Sequence, residues 1–168
     1  MVMDSTTPAL TPAALRDFRQ RGLLLGGLAA TKRLANNSWI EGPTAIQARV
    51  LSGAFLRVGA FCNLSGGTLN NVVVGRYASM AQGVVTGSHE HPTDWLTTSR
   101  TAYYPEVNGW DRLMAGAEAP SIHARRSRFP GSCPITTLGP DAWIGQGAFI
   151  KSGVTIGAGA IIGASNRS

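Results

Sequence analysis

The chain has 168 residues, of which 21 are glycines and 14% are charged, and its formal net charge is +6. This length suits one domain with a buried core, and the composition argues against a long exposed helix. The charge favours anionic ligands, but the arginines are spread out, apart from Arg125, Arg126 and Arg128, so we expect no nucleic-acid partner.

The first predicted element is a short N-terminal helix. Thr11 can cap this helix, Pro12 suits its first position, and Gly22 ends it. The stretch from Leu23 to Ala35 is compatible with a second helical segment. We assign residues 1–38 to an N-terminal tail and helical cap over the open end of the repeat array that follows; a partner-binding arm is the alternative.

A six-residue repeat begins after this segment. It slips around residues 66–71, and one of its positions is polar. A period of six is neither that of a helix nor that of a strand, and it predicts the hexapeptide coils of a parallel β-helix. The repeat positions before residue 87 are Ile40, Ile46, Ser52, Val58, Leu64, Val74, Met80 and Thr86.

The repeat is more regular near the end of the chain, at Leu138, Ile144, Ile150, Ile156 and Ile162. We expect these side chains to point into the interior of triangular coils. A glycine follows four of the five, and we attribute these glycines to the backbone angles of the corners. The predicted fold class is therefore all-β, with a hexapeptide-repeat domain at residues 39–168.

An irregular stretch interrupts the repeat at about residues 87–137, which we predict to be a long inserted loop. It begins with S-H-E-H-P-T-D-W-L-T-T-S. Loops that a rigid scaffold holds often carry function, and imidazole titrates near neutral pH, so His89 and His91 are candidate acid–base groups. The sequence contains no spacing typical of a metal site, so no metal is expected.

Two motifs carry a resemblance to a known family. The chain reads L-G-P-D-A-W-I-G-Q-G-A-F-I-K-S-G-V-T-I-G-A-G-A-I-I-G-A from residue 138, and H-P-T-D-W-L-T-T-S follows G-R-Y-A-S-M-A-Q-G-V in the first half. The first motif resembles the hexapeptide-repeat acyltransferases. The second resembles their xenobiotic acetyltransferase branch, which includes type B chloramphenicol and streptogramin acetyltransferases. The resemblance covers about residues 39–164.

This resemblance implies a left-handed parallel β-helix, a homotrimer with active sites between subunits, and transfer of an acetyl group from acetyl-CoA to a hydroxyl. It also implies that His91 is the general base, with His89 as the competing candidate. The hydroxyl acceptor is expected to be a small molecule or a saccharide. The residues predicted to bind it are His89, Asp94, Trp95, Thr98, Tyr103 and Tyr104.

Several of these residues have more than one interpretation. Asp94 can orient the histidine or stabilise the loop through an Asx turn. Trp95 is expected to pack the base of the loop rather than to contact substrate. The carbonyl of Thr98 can select the tautomer of His91, and the two tyrosines can line the acceptor pocket or form a small core within the loop.

The resemblance also places a cofactor-binding wall on the second run of repeats. Trp143 matches a tryptophan that contacts acetyl-CoA, and glycines beside it would let the donor approach the backbone. We expect a main-chain amide there to act as the oxyanion donor. The predicted cofactor-binding residues are Trp143, Gly145, Gly147, Ala148 and Gly163.

The end of the sequence departs from the family pattern. The family continues with a further coil and a C-terminal helix, whereas four residues follow Ala164 here, so a chain truncated at its C-terminus is expected. Cys62 and Cys133 are interpreted as thiols, and the apolar run at residues 22–30 is shorter than a membrane span, which suggests a cytoplasmic protein. The alternative function is that of a non-catalytic, truncated β-helix relative that acts in assembly or binding.

Overall fold

The computed structural model describes residues 2–3, 12–104, 106, 109–113, 129 and 133–165. The chain divides into two compact units. The repeat unit comprises Met1–Ser88 and Cys133–Ser168, and the histidine unit comprises His89–Ser132. The first unit carries the predicted hexads, and the second carries His89 and His91.

Short strands dominate the described part of the repeat unit. Its N-terminal elements are β1 (Val2–Met3), α1 (Pro12–Gln20), β2 (Leu23–Leu24) and a 3₁₀ turn (Gly26–Leu28). The repeats before the histidine unit form β3 (Ser38–Ile40), β4 (Thr44–Ile46), β5 (Arg49–Val50), β6 (Leu56–Val58), β7 (Asn63–Leu64), β8 (Thr68–Leu69), β9 (Val72–Val74), β10 (Ser79–Met80) and β11 (Val85–Ser88). The repeats after it form β12 (Thr136–Leu138), β13 (Trp143–Ile144), β14 (Phe149–Lys151), β15 (Thr155–Ile156) and β16 (Ile161–Ile162). The described helical elements of the histidine unit are a 3₁₀ turn (Arg100–Ala102) and α2 (Trp110–Leu113).

The strands stack into three sheets. Their orders are β1-β3-β6-β9-β12-β15, β2-β4-β7-β10-β13-β16 and β5-β8-β11-β14. Among the described strands, β1 and β3 pair antiparallel and the other pairs are parallel. From β3 onward, consecutive strands lie in different sheets and every third strand pairs, so the chain runs in coils. This arrangement is consistent with the predicted parallel β-helix.

The coils become two residues shorter around β8. Trp39 in β3 pairs with Arg57 in β6, eighteen residues later, which is three hexads. Arg57 pairs in turn with Val73 in β9, only sixteen residues later. The two missing residues are divided between the turns on either side of β8, because the buried side chains of Leu64, Leu69 and Val74 follow one another at a spacing of five residues. The slip that the sequence predicts around residues 66–71 is confirmed.

The interior of the coils holds most of the predicted repeat residues. Ile144 is fully buried, whereas Ile156 and Ile162 pack against the same core but are only partly buried. The prediction for Ser52 is wrong, because this residue is exposed and Val50 is buried instead. Only two residues separate β4 from β5, so this hexad is short and an earlier side chain points inward.

The glycines that follow the repeat positions allow close stacking of coils. A Cβ added to Gly139 would lie 2.6 Å from the backbone nitrogen of Ala158, and one added to Gly145 would lie 2.5 Å from that of Ala164. Neither glycine has a positive φ, so our attribution of these glycines to corner angles is wrong. The left-handed corner residues come three positions after the repeat residue, at Asp141, Gly147, Gly153 and Gly159.

The N-terminal segment forms one α-helix, which is followed by a short strand and a 3₁₀ turn. Helix α1 begins at Pro12, and Gly22, at a φ of 74°, follows its end, as predicted. The predicted second helical segment is wrong: Leu23 and Leu24 form β2, which pairs with β4. The side chains of Leu23, Leu25 and Leu28 are buried in the core, and this burial favours the observed strand and turn over the predicted helix.

A carboxylate–guanidinium pair links three successive coils. Both carboxylate oxygens of Glu41 accept hydrogen bonds from Arg76, at 2.9 Å from Nε and 2.7 Å from Nη2. The amide of Ala60 donates to the same carboxylate at 3.1 Å. These bonds, that of Arg76 first, hold the pKa of Glu41 below its usual value.

Cys62 occupies the small buried position that the sequence predicts. Its thiol donates to the Gly75 carbonyl at 3.0 Å, and burial raises its pKa. Cys62 and Cys133, both in the described part of the chain, form no disulfide bond. None of the helices in the described ranges has the length and apolar character needed to cross a membrane.

Candidate functional site

His91 is held by two groups of the histidine unit. Its Nδ1 lies 2.8 Å from the main-chain carbonyl oxygen of Thr98 and 2.8 Å from the hydroxyl oxygen of Tyr103. A bend at residues 93–96 separates His91 from Thr98, and a 3₁₀ turn precedes Tyr103. These local reversals of the chain bring residues seven and twelve positions away to the same ring nitrogen.

The two contacts select one tautomer of the neutral ring. A carbonyl oxygen can only accept, so the contact with Thr98 requires a hydrogen on Nδ1. The hydroxyl oxygen of Tyr103 then accepts the second branch of a bifurcated hydrogen bond from the same N–H. With the hydrogen on Nδ1, Nε2 keeps its lone pair. The arrangement therefore makes Nε2 the proton-accepting atom of His91.

An aromatic cluster holds Tyr103 in place. The side chain is 8% exposed, and its ring lies 5.3 Å from the rings of both Tyr104 and Phe129. Trp95 meets Tyr103 edge to face at 6.3 Å and Phe129 at 6.1 Å. Edge-to-face packing of this kind restrains the rings, so the hydroxyl that contacts His91 is well positioned.

A cavity of about 310 Å³ lies within the histidine unit. Its wall combines aromatic rings with groups that can hydrogen-bond, which is typical of small-molecule sites. One acidic and one basic side chain are present besides the two histidines. The lining residues are His89, Glu90, His91, Arg100, Tyr103, Tyr104 and Phe129.

The structure brings only some of the predicted acceptor-binding residues to this cavity. His89, Tyr103 and Tyr104 line it together with His91. Trp95 is half-buried and packs in the aromatic cluster instead. Asp94 is exposed in the bend and is not among the partners of the His91 ring. The binding roles of these residues remain predictions.

Sequence reasoning missed three lining residues: Glu90, Arg100 and Phe129. Glu90 lies between the two histidines, and this position could have marked it as a candidate. Arg100 follows the T-T-S sequence without a motif of its own. Phe129 is far away in the sequence, and it carries no signal that could have linked it to His91.

The predicted cofactor-binding residues lie in the repeat unit. Trp143 is 51% exposed on β13, and Ile161, its partner in the neighbouring β16, is 69% exposed. Side chains that alternate with the buried isoleucines point outward. Trp143 and Ile161 therefore form an exposed apolar surface. Gly163 follows β16, with open space where a Cβ would be.

The main-chain amides of this wall are engaged within the coils. Gly145 donates to the Ile162 carbonyl at 2.8 Å, Gly147 to that of Gln82 at 3.0 Å, and Ala148 to that of Gly145 at 3.3 Å. The expectation that one of these amides is an oxyanion donor stays a prediction. Ala148 is also buried, so its methyl group faces the interior.

Two further predictions concern charge and metals. Arg125, Arg126 and Arg128 lie outside the described residues. Within the described ranges, no three histidine, cysteine, aspartate or glutamate side chains are grouped so that they could hold a metal ion.

Comparison with known proteins identifies one family. The family of the bacterial transferase hexapeptide, described as six repeats, matches residues 135–167. This range covers β12 to β16, the part of the chain with the regular hexads. The chain matches no curated protein and no solved structure. The C-terminal repeats are therefore hexapeptide repeats of the kind found in bacterial transferases.

Proposed function

We propose that this chain is an O-acetyltransferase that moves an acetyl group from acetyl-CoA to a hydroxyl of a small molecule or saccharide. The observation that carries this proposal is the contact between Nδ1 of His91 and the Thr98 carbonyl oxygen, at 2.8 Å. It leaves Nε2 as a base on a side chain that lines a cavity. The match to hexapeptide transferases at residues 135–167 supports group transfer as the reaction class.

In the proposed reaction, Nε2 of His91 accepts the proton of the acceptor hydroxyl while the hydroxyl oxygen attacks the thioester carbon. The imidazolium then returns this proton to the departing sulfur as the carbon–sulfur bond breaks. General bases of this kind contribute about 10²–10⁴ to the rate. No enzyme nucleophile is required, because the thioester is already an activated acyl donor.

Thr98 and Tyr103 support this role through Nδ1. When the ring accepts a proton, its positive charge is shared by both nitrogens. The Thr98 carbonyl and the Tyr103 oxygen then receive a charge-assisted hydrogen bond, which is stronger than the bond to the neutral ring. Both groups therefore stabilise the charged form that arises in the transition state.

The exposed surface of Trp143 and Ile161 can pack against the methyl and methylene groups of the pantetheine arm of acetyl-CoA. Gly145, Gly147 and Gly163 would limit steric obstruction beside it. Because the amides of Gly145, Gly147 and Ala148 already donate within the coils, we propose that this wall binds the donor through apolar contact.

The proposal includes the assembly of the protein. We propose a left-handed β-helix with an inserted loop, and a cytoplasmic homotrimer in which the sites lie between subunits. Sedimentation of the purified, folded chain at micromolar concentration tests the trimer. A monomer alone would contradict this part of the proposal.

The activity test follows acetyl-CoA consumption as thiol release, with the purified chain and a panel of antibiotic and saccharide hydroxyls. His91→Ala should lower kcat by about 10²–10⁴ and leave the affinity for acetyl-CoA unchanged, because only proton transfer is lost. His89→Ala is the matched control, since this histidine lines the same cavity. It should change mainly the KM for the acceptor.

Two results would refute the assignment. Near-normal kcat in His91→Ala would exclude this residue as the base. Loss of turnover in His89→Ala alone would move the base to His89. If the wild-type chain binds acetyl-CoA but acetylates no hydroxyl in the panel, a non-catalytic role in assembly or binding becomes the better explanation.

A further inference from the structure

The residues that flank the histidine unit meet in a small hydrogen-bonded cluster of the repeat unit. The chain leaves the repeat unit after Ser88 and returns at Cys133. The Cys133 thiol donates to the Gly87 carbonyl at 2.7 Å. The side-chain amide of Asn70 donates to the same carbonyl at 2.8 Å and contacts the Cys133 sulfur at 3.3 Å. Asn70 thus touches both the departing and the returning chain.

Asn71 adds a second set of bonds to the returning chain. Its side-chain nitrogen donates to the Cys133 carbonyl at 2.7 Å, and its side-chain oxygen accepts from the Phe55 amide at 2.9 Å. Its own carbonyl accepts from the Thr136 amide at 2.8 Å. One residue therefore ties the start of β12 to the preceding coil through both its side chain and its main chain.

The departing strand has a matching irregularity. The register of β11 against β14 shifts between Thr86 and Ser88, which is a bulge at Gly87. Gly87 has a φ of 64°, and a Cβ there would collide with the Asn70 carbonyl oxygen. Bulges redirect a strand and often occur near functional sites. This bulge places the Gly87 carbonyl where Asn70 and Cys133 both reach it.

We infer that Asn70 and Asn71 are positioning residues that clamp the two ends of the histidine unit and so order the segment that carries His91. Asn70 is 8% exposed, and its amide hydrogens bridge groups that the hexad pattern alone would not bring together. The pair also forms the whole connection between β8 and β9. The clamp is defined by Asn70, Asn71, Gly87 and Cys133.

The first test does not depend on activity. Asn70→Leu keeps a similar volume but removes the NH₂ donor group. Asn71→Asp also removes the NH₂ group, but it keeps an acceptor oxygen and a residue type that tolerates positive φ. Hydrogen exchange of peptides covering residues 89–104 and the reaction rate of the Cys133 thiol with a maleimide are measured by mass spectrometry. Both variants should raise both rates about tenfold, because the clamp opens more often.

Two controls separate the clamp from general destabilisation. Asn63→Leu changes the same residue type at an exposed position of β7 and should leave both rates unchanged. Val58→Ala removes a fully buried side chain and lowers the melting temperature without touching the clamp. Wild-type rates in Asn70→Leu, or equal acceleration in Val58→Ala, would overturn the inference.

A kinetic test rests on the proposed function. Asn70→Leu should lower kcat about tenfold without moving the midpoint of the pH–rate curve, because no clamp residue is a partner of the His91 ring. Cys133→Ser keeps a donor and should retain kcat, whereas Cys133→Ala should lower it. A shifted midpoint, or full kcat in Cys133→Ala, would contradict a positioning role. If the wild type acetylates nothing, the proposed function fails, and the exchange and thiol rates alone decide on the clamp.

Discussion

Stacking of coils can be tested with a matched pair of glycine substitutions. Gly145 and Gly157 occupy the same position in the hexad, each directly after a repeat isoleucine. Neither has a positive φ, so alanine is compatible with the backbone at both. They differ in their surroundings: a Cβ at Gly145 would lie 2.5 Å from the Ala164 nitrogen, and a Cβ at Gly157 meets nothing within 4 Å.

The expected magnitude follows from this geometry. Carbon and nitrogen atoms prefer a separation of about 3.5 Å, so Gly145→Ala must move the last coil by about 1 Å. That movement strains the bond from the Gly145 amide to the Ile162 carbonyl, now 2.8 Å. Overpacking of this kind costs about 1–3 kcal/mol. Gly157→Ala should be neutral, or stabilising by about 0.4–1 kcal/mol through the unfolded chain.

Urea unfolding followed by circular dichroism measures both free energies, and equal m-values justify the comparison. Gly163→Ala is a second control, since a Cβ there also meets open space. The stability difference between Gly145→Ala and Gly157→Ala should be about 1–4 kcal/mol. Equal stabilities would refute close coil stacking at Gly145. Strong destabilisation by Gly157→Ala would mean that other atoms cover the last coil.

Three further predictions concern the core, the site and the effect of pH. Ile144→Ala should cost about 2–5 kcal/mol in the same assay, and Ile156→Ala should cost less, because Ile156 is only partly buried. Tyr103→Phe should lower kcat less than loss of His91, since the Thr98 carbonyl still holds Nδ1; an equal loss would show that the hydroxyl is indispensable. Folding lowers the pKa of Glu41, so the ionised carboxylate stabilises the folded protein at pH values above the pKa of this group in the unfolded chain. This stabilisation is lost as the pH falls through the pKa of Glu41 in the folded protein. The melting-temperature advantage of wild type over Glu41→Gln should therefore shrink in acid; a constant difference would contradict the shifted pKa.

The hexad pattern predicts the interior of the coils well, because each hexad contributes one inward side chain. It fails where a turn is shorter than the repeat. Ser52 falls on the six-residue grid, but the short connection between β4 and β5 turns Val50 inward instead. A fixed period contains no information on such local shortening. The role of Gly145 in the close stacking of coils was missed for a related reason. Close approach between coils depends on atoms eighteen or more residues away in the sequence.

Prediction of the site is limited by the irregular sequence that builds it. The motif H-P-T-D-W identifies His91 as a candidate, and Thr98 is near enough in sequence for its carbonyl to be considered. Tyr103 reaches the same nitrogen only because a bend and a 3₁₀ turn intervene. Phe129 joins the aromatic cluster from the far end of the histidine unit. Neither contact follows from periodicity, because this part of the chain has none.

The slip in the repeat says more about the segment that carries His91 than the regular hexads do. A regular array would join β8 and β9 with a corner like the others, and side chains there would point to solvent. Here two asparagines alone join β8 and β9, the coil is two residues shorter than the one before it, and Asn71 adopts a φ of 45°. Their amides then face Gly87 and Cys133, where the regular chain ends and resumes. The break in the hexad period therefore lies where the repeat unit bonds both ends of the segment that carries His91.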